Sequence, residues 1–285
     1  MISPQRLGAR VLCACLLPLL LAVSLPAQDE LKPGPAEPLP ALLHTFNVHF
    51  LMETAFDGIN YGGPQLEKAL RAAKPHGLRF PGGTLANNYL WKADNFSDPA
   101  ANDLTDWAGE QLRLFRNSGA AYGRPGFARI CQREGLEPIW VLNVYEKTPE
   151  SVVAMMRHLD SLGLKVRHIE MANKPYWDQR TANNARAYID YCRPLALALK
   201  KHEPALRIGA CFAPIENPAN YRGLWYAVLA RETWFDAIVY HEYSGGQGFK
   251  LEKGAKLPLE ALLKPEAMVA APVDELSALM PGKPV

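Results

Sequence analysis

The chain has 285 residues, of which 48% are hydrophobic and 9% aromatic, and its formal net charge is +2. A composition this apolar excludes an intrinsically disordered protein and provides for one large buried core. Acidic and basic residues are mixed along the chain, so no basic surface for nucleic acid is indicated and no nucleic-acid partner is predicted.

The first 27 residues have the pattern of a cleaved export signal. Arg6 and Arg10 precede an uncharged apolar run, Val11–Ala22, and small residues continue to Ala27, which is the order typical of a secretory signal. Pro18 interrupts the run, which is shorter than the roughly 20 residues that a spanning helix needs, so stable membrane insertion is not expected. We expect cleavage after Ala27 and a periplasmic or extracellular location.

A proline-rich linker is predicted over residues 28–40, because four prolines in this stretch disfavour both helix and central strand. Residues 41–285 form one predicted domain, in which short apolar strands alternate with amphipathic helices. The predicted strands are His44–Phe50, Gly77–Pro81, Pro138–Val144, Val166–Met171, Leu206–Phe212 and Phe235–Tyr240. The predicted helices are Pro64–Lys74, Trp107–Asn117, Pro149–Leu162, Ala182–His202 and Tyr221–Ala230.

This alternation predicts right-handed crossovers and an α/β fold with a parallel sheet, either open or closed into a barrel. A barrel of eight units needs about 250 residues, whereas six strands are predicted here, with the start of a seventh at Lys283–Val285. We therefore expect a barrel, if this is one, to be incomplete at its C-terminal end. The first and sixth strands would then be unprotected edges, and we expect the isolated chain to be marginally stable.

The cysteines indicate no metal chemistry. Cys131, Cys192 and Cys211 follow the predicted cleavage site, and they form no CxxC pair and no Cys/His spacing typical of a metal site. Neither a metal nor a cofactor is predicted. We expect these three cysteines to be buried as small apolar side chains, with at most one disulfide among them.

Polar and aromatic residues follow the predicted strands, at the end where parallel α/β folds place their sites. Amides suit sugar hydroxyls and aromatic rings suit the apolar faces of sugars, so an oligo- or polysaccharide is the predicted partner. The candidate substrate-binding residues are Arg79, Asn88, Trp91, Asn143, Asn173, Trp177, His241 and Tyr243.

Three segments carry a family resemblance: LRFPGGTLANNYLW (Leu78–Trp91), IEMANKPYW (Ile169–Trp177) and His241–Tyr243. In this order and on these strands, they resemble motifs of the retaining glycoside hydrolases of clan A, nearest the α-L-arabinofuranosidase and heparanase-type β-glucuronidase group. The resemblance implies a TIM-type (β/α)8 barrel, of which about six units are present. It also implies an O-glycosyl hydrolase-like protein that acts on, or binds, a plant- or algal-type polysaccharide or glycoside.

The sequence departs from the clan at both catalytic positions. Retaining cleavage uses an acid/base carboxyl and a nucleophilic carboxylate about 5–5.5 Å apart. The clan's acid/base Glu follows the fourth-strand Asn, and Lys174 stands there; a lysine is a poor proton donor at its reference pKa of about 10.4. The clan's nucleophile stands at the end of the seventh strand, whereas the sequence stops at Val285, at the predicted beginning of that strand. Glu170 shares strand parity with Lys174 but lies roughly 13 Å deeper, so we do not predict that it replaces the acid.

These departures leave three functions open: an inactive glycosidase-type barrel, a non-catalytic carbohydrate-binding protein, and an enzyme that uses Lys174 as a Schiff-base amine. Several residues also have a structural alternative. Arg79 fits a buried ion pair, Trp91 and Trp177 fit a core, and Glu146 and Glu242 fit solvated or arginine-paired positions. We predict a single cleft at the C-terminal ends of the strands, lined by Arg79, Asn173, Lys174, His241 and Tyr243.

Overall fold

The computed structural model describes residues 45–48, 51–52, 64–98, 109–110, 112–113, 121–145, 147–181, 184–213, 219–241 and 273–283. All of these belong to the unit Pro40–Val285. The predicted export signal and linker lie outside the described residues, as do Glu146, Glu242 and Tyr243.

Six parallel strands form the main sheet of the described chain: β1 (Thr45–Asn47), β2 (Gly77–Phe80), β3 (Glu137–Leu142), β4 (His168–Met171), β5 (Arg207–Phe212) and β6 (Ala237–Tyr240). Each strand pairs in parallel with its neighbours in sequence. A doubly wound open sheet would reverse this order at a switch point, whereas a barrel keeps it. The strand order therefore favours the barrel alternative, and all six predicted strands are confirmed.

A helix follows each of these strands: α1 (Pro64–Ala73), α2 (Arg124–Glu134), α3 (Pro149–Ser161), α4 (Ala185–His202), α5 (Ala219–Leu229) and α6 (273–279). Four predicted helices match α1, α3, α4 and α5. Of the predicted helix Trp107–Asn117, only residues 109–110 and 112–113 are described, and they are helical. None of the helices in the described part of the chain is long and apolar enough to cross a membrane.

The sequence analysis missed α2, because the Arg-Pro-Gly sequence at its start resembles a turn. Pro125 instead occupies the first helical turn, where its fixed φ fits and its missing N–H costs no hydrogen bond. Gly135 ends the helix in the left-handed region, at φ 65°. A proline at the start and a glycine ten residues later were the available signals.

The caps of α3 agree with the sequence prediction. Thr148 Oγ1 accepts a hydrogen bond of 3.2 Å from the Ser151 N–H, Pro149 stands in the first turn, and Gly163 follows the helix at φ 72°. Hydrogen bonds from its own backbone N–H and from Thr148 lower the pKa of Glu150, whose charge also suits the positive end of the helix.

Successive side chains of each strand point alternately towards the helices and towards the interior of the curled sheet. On the helix side of β5, the Phe212 ring lies 5.5 Å from Tyr226 of α5. On the other side, a Cβ added at Gly209 would meet Val239 Cγ2 of β6 at 2.6 Å and Glu170 Cγ of β4 at 3.9 Å. Glycine at this position therefore makes room for side chains of the two neighbouring strands, in the interior that the curled sheet encloses.

Candidate functional site

Arg79 of β2 is the centre of the site. Its Nε donates to both carboxylate oxygens of Glu170, at 2.9 and 2.8 Å, and its Nη2 donates to Glu170 Oε2 at 2.6 Å. The same Nη2 donates to Asn173 Oδ1 at 3.1 Å, and Nη1 donates to Asn47 Oδ1 at 2.8 Å. Because Glu170 lies on β4, this pair reaches across β3 on the concave face of the sheet. The buried ion pair was the structural alternative for Arg79, and the structure shows it.

Glu170 is held in its ionised form. Burial raises the pKa of its carboxyl, but the charge and hydrogen bonds of Arg79, with a smaller contribution from His241, outweigh burial and lower it. The Glu170 carboxylate and the Asn173 amide contact the same Arg79 guanidinium. The ion pair adds to the depth of Glu170 a second argument against this residue as a proton donor.

Asn87 fixes the backbone of Asn173. Its Oδ1 accepts from the Asn173 N–H at 2.7 Å, and its Nδ2 donates to the Asn173 carbonyl at 2.8 Å and to Asp178 Oδ2 at 3.1 Å. Arg180 in turn binds Asp178 through two hydrogen bonds of 2.8 Å. The sequence analysis selected the adjacent Asn88, whose backbone carbonyl accepts from Ser97. Either asparagine fitted the sequence pattern.

Two buried polar atoms of the site have no hydrogen-bond partner among the described residues. One is Nδ2 of Asn173, a residue that is only 1% exposed, and the other is Nε2 of His241, directly after β6. Buried polar groups are normally hydrogen-bonded, so a hydrogen-bond partner is expected for each of these two atoms. Burial is the main cause that lowers the pKa of His241 to about 4; the charges of Arg79 and Lys174 act in the same direction, and that of Glu170 opposes them. His241 is therefore neutral near pH 7.

Lys174 occupies a left-handed backbone conformation, φ 48°, directly before the single 3-10 turn Pro175–Trp177. Its Nζ lies 5.0 Å from the centroid of the Trp177 ring, and Trp177 is 44% exposed. The backbone of Lys174 also hydrogen-bonds Cys211 of β5. An exposed aromatic ring and an ammonium group thus stand side by side at this turn.

Cys211 is not an activated nucleophile. Burial raises the pKa of its thiol to about 12, against a lowering contribution from the Lys174 backbone hydrogen bond, so the thiol stays protonated. Cys131 and Cys192 are likewise buried and free. In the described ranges, no group of three or more His, Cys, Asp or Glu side chains could hold a metal ion.

Trp91 and Asn143 are held by protein contacts. Trp91 is 8% exposed, and its indole N–H donates to Ser151 Oγ of α3 at 3.1 Å. Asn143 is 2% exposed; its Nδ2 donates to the Tyr89 carbonyl at 3.3 Å, and its Oδ1 accepts from the Tyr145 N–H at 3.1 Å. Of the two tryptophans predicted to stack on sugar, only Trp177 presents substantial ring surface.

The structure thus brings Arg79, Asn173, Lys174 and His241 together, as their mutual hydrogen bonds and electrostatic interactions show. The fifth residue expected in this cleft, Tyr243, lies outside the described residues. The ligand-binding roles of these residues stay predictions.

No family model matches the sequence, and no curated protein is similar to it. Solved α-L-arabinofuranosidases do resemble the structure: the family 51 enzyme AbfB from Bifidobacterium longum (17% identity, TM-score 0.57), and the enzymes from Thermotoga maritima (15%, 0.55) and Xanthomonas axonopodis pv. citri (17%, 0.54). Each match covers 84% of this chain and 52–53% of the other. The described part of the chain thus has a fold similar to that of these structures, a curled parallel sheet consistent with part of a (β/α) barrel. The whole chain spans about half the length of these structures, and a shared fold does not transfer their activity.

Proposed function

We propose that the protein binds carbohydrate at the strand ends of its barrel and does not cleave glycosides by the retaining two-carboxylate route. One observation carries the proposal: the carboxylates described around Asn173 are those of Glu170 and Asp178, and each is bound by an arginine. The next residue, at the position where the resemblance to clan A expects the acid/base Glu, is Lys174.

The chemistry of cleavage explains why this arrangement is unsuited to it. The acid/base residue must protonate the leaving oxygen, so its carboxyl must carry a proton near the working pH. Arg79 lowers the pKa of Glu170 and keeps it ionised. The ammonium of Lys174 adds positive charge where the oxocarbenium-like transition state is itself becoming positive. Both effects oppose glycoside cleavage.

The remaining groups support binding. Asn173 Nδ2 and His241 Nε2 have no hydrogen-bond partner within the described ranges, and sugar hydroxyls are able to pair with both as donors and acceptors. The exposed Trp177 ring supplies a stacking surface. Arg79 acts as a positioning residue through Asn173, while Asn88, Trp91 and Asn143 support the surrounding loops. We propose an arabinofuranose-containing or related plant- or algal-type glycan as ligand, in keeping with the solved arabinofuranosidases. Export, proposed from the leader pattern, would bring the protein to such glycans.

A Schiff-base enzyme is less well supported. A nucleophilic lysine needs a desolvated amine. The side chain of Lys174 is only partly buried and lies against the exposed Trp177 ring.

The test combines calorimetric titration with arabinan and arabinoxylan oligosaccharides and turnover assays on nitrophenyl α-L-arabinofuranoside and β-D-glucuronide. We expect binding without turnover. Trp177→Ala should weaken binding by about tenfold, because stacking is worth up to about 1.5 kcal/mol. Trp177→Phe should retain most of it. Phe46→Ala is the matched control, since it removes an exposed ring from the opposite face of β1 to Asn47. Turnover that Arg79→Ala abolishes, or no binding to any glycan, would contradict the proposal.

A further inference from the structure

The turn that follows β4 has an unusual backbone. Ala172 and Lys174 have positive φ values, 65° and 48°, in the left-handed region that residues other than glycine rarely adopt. Such conformations are unfavourable, persist only where the surrounding structure holds them, and are enriched at sites that bind ligands. The same turn carries Asn173 and the exposed Trp177, through which the proposed function expects contact with a glycan.

Buried side chains from several parts of the chain hold this turn. Asn87 binds the backbone in the middle of the turn, and the Cys211 thiol of β5 hydrogen-bonds the Lys174 backbone. Further along, Thr181 Oγ1 donates to the Pro175 carbonyl at 2.7 Å. None of the three side chains is more than 2% exposed. The path of the turn is therefore set by side chains that burial itself keeps in place.

Tyr188 of α4 holds the start of the turn by standing between two strands. The ladder between β4 and β5 begins with a hydrogen bond of 2.8 Å from the Arg207 N–H to the Arg167 carbonyl. Because parallel ladders repeat every two residues on each strand, the same ladder would go on to join the Cys211 N–H to the Met171 carbonyl. The Tyr188 hydroxyl is inserted there instead. It accepts from the Cys211 N–H at 2.9 Å and donates to the Met171 carbonyl at 2.7 Å.

The Tyr188 side chain is itself firmly held. Its ring is fully buried and stacks on Trp225 of α5, with the ring centroids 5.5 Å apart and the planes 24° apart. Its hydroxyl also hydrogen-bonds the Cys192 thiol of the same helix. Burial is the main cause that raises the pKa of Tyr188 well above its usual value, so the hydroxyl stays protonated and able to donate. A side chain held in this way is able to set the separation of the two strand ends.

We propose that Tyr188 is a positioning residue for glycan binding: its hydroxyl keeps the C-terminal ends of β4 and β5 apart and so fixes the turn that presents Asn173 and Trp177. This inference rests on the proposed function and adds to it a residue that acts only through the backbone. Without the hydroxyl, the Met171 carbonyl and the Cys211 N–H either bond directly or lose a partner. Both outcomes shift or loosen the turn.

The experiment compares Tyr188→Phe with Tyr226→Phe in the full chain. Each substitution removes one buried phenolic oxygen and keeps the ring. The Tyr226 hydroxyl donates to the Ala213 carbonyl at 2.8 Å, directly after β5, so it binds the end of the same strand but not the turn after β4. Thr181→Val is a second variant of the turn, because it removes the hydroxyl that binds the Pro175 carbonyl.

Three measurements are made on each protein: urea unfolding, hydrogen–deuterium exchange of the peptide that covers residues 172–177, and calorimetric titration with arabinan oligosaccharides. We expect both Phe variants to lower the urea midpoint to a similar extent, because each leaves a buried carbonyl without its donor. Only Tyr188→Phe should speed exchange of the turn and weaken glycan binding, by about fivefold, which corresponds to the net worth of about one hydrogen bond. Thr181→Val should resemble Tyr188→Phe in both respects.

Unchanged exchange of the turn in Tyr188→Phe and Thr181→Val overturns this inference and leaves the proposed function standing. The same holds if Tyr226→Phe weakens binding as much as Tyr188→Phe does, because a general loss of stability would then explain both. Failure of the wild type to bind any glycan overturns the proposed function, and the role of Tyr188 in binding with it. The exchange measurement needs no ligand, so it separates the two failures.

Discussion

At the residue scale, Lys174 and Glu170 carry the proposal that the site binds glycans without cleaving them. Glu170 has the right side chain for acid–base chemistry, but the Arg79 guanidinium keeps it charged. Lys174 stands beside the aligned Asn173 amide, with an ammonium in place of a carboxyl. Introducing a carboxyl at this one position would change the charge of the site without releasing Glu170 from its ion pair with Arg79.

We therefore expect Lys174→Glu to show no measurable turnover of nitrophenyl arabinofuranoside. General acid catalysis contributes about 10²–10⁴-fold, but the retaining route also needs a free nucleophilic carboxylate, and the two carboxylates described around Asn173, those of Glu170 and Asp178, are each bound by an arginine. Nitrophenolate release is the measurement, with Lys174→Gln as the isosteric control. Turnover by the Glu variant and not by the Gln variant would refute this expectation.

His241 predicts a pH dependence of stability. Its pKa is lowered to about 4 in the folded protein, against about 6.5 when unfolded. Between these values the unfolded state binds the proton and the folded state does not, so stability is lost as the pH falls from about 6.5 towards 4. The lowered pKa of Glu170 also makes stability fall with falling pH, but only below about pH 4.3.

We expect the wild type to lose about 2 kcal/mol more unfolding free energy than His241→Gln between pH 7 and pH 5. Urea unfolding at the two pH values measures the difference. His158 and His168, whose pKa values are also lowered mainly by burial, remain in both proteins and cancel in the comparison. Parallel losses in the two proteins would show that His241 is not the responsible group.

At the element scale, the turn after β2 couples the end of this strand to β1. Gly82 has a φ of 31°, and a Cβ there would overlap the Asn47 side-chain amide and lie 2.8 Å from the Val48 carbonyl oxygen. Asn47 is also a hydrogen-bond acceptor for Arg79. The close approach of this glycine to β1 therefore contributes to the orientation of the Arg79 side chain.

Gly82→Ala should lower the free energy of unfolding more than Gly135→Ala does. Of the two variants, only Gly82→Ala should weaken glycan binding. A Cβ at Gly135, with φ 65°, would meet nothing within 4 Å, so its substitution costs only backbone strain, about 1 kcal/mol. At Gly82, steric overlap adds to the strain and displaces Asn47. Urea unfolding and calorimetric titration of the two variants provide the comparison. Equal losses of stability with unchanged binding would remove Gly82 from the support of the site.

At the scale of the whole molecule, the Arg79–Glu170 pair joins alternate strands on the inner face of the curled sheet. Both side chains are largely buried, at 12% and 14% exposure. Removing one partner leaves the other charge buried without compensation, which typically costs about 3–5 kcal/mol, whereas replacing both by apolar residues costs much less. The stability of the sheet therefore depends on each of the two charges keeping its partner.

We expect Glu170→Gln to lower the unfolding free energy by about 3 kcal/mol, and the double variant Arg79→Met/Glu170→Met to recover most of that loss. Glu232→Gln breaks the Arg193–Glu232 pair, in which the glutamate side chain is 10% exposed but the arginine is 45% exposed. Because solvent reaches the arginine that is left, this substitution should cost at most about 1 kcal/mol. Denaturant unfolding of the four proteins gives the values. A Glu170→Gln cost as small as that of Glu232→Gln would show that solvent reaches the Arg79 pair.

The sequence by itself determined the six strands, four of the helices, the caps of α3 and the set of strand-end residues from which the site is built. These features follow from local signals: hydrophobic periodicity, the Thr148–Pro149 helix start and Gly163 after the helix end. Tertiary structure alone decided that Arg79 pairs with Glu170, that Asn87 rather than Asn88 holds Asn173, and that Trp91 is buried while Trp177 is exposed. Arg79 and Glu170 are 91 positions apart, and their contact depends on strand register and on the curvature of the sheet, which no local stretch of sequence encodes.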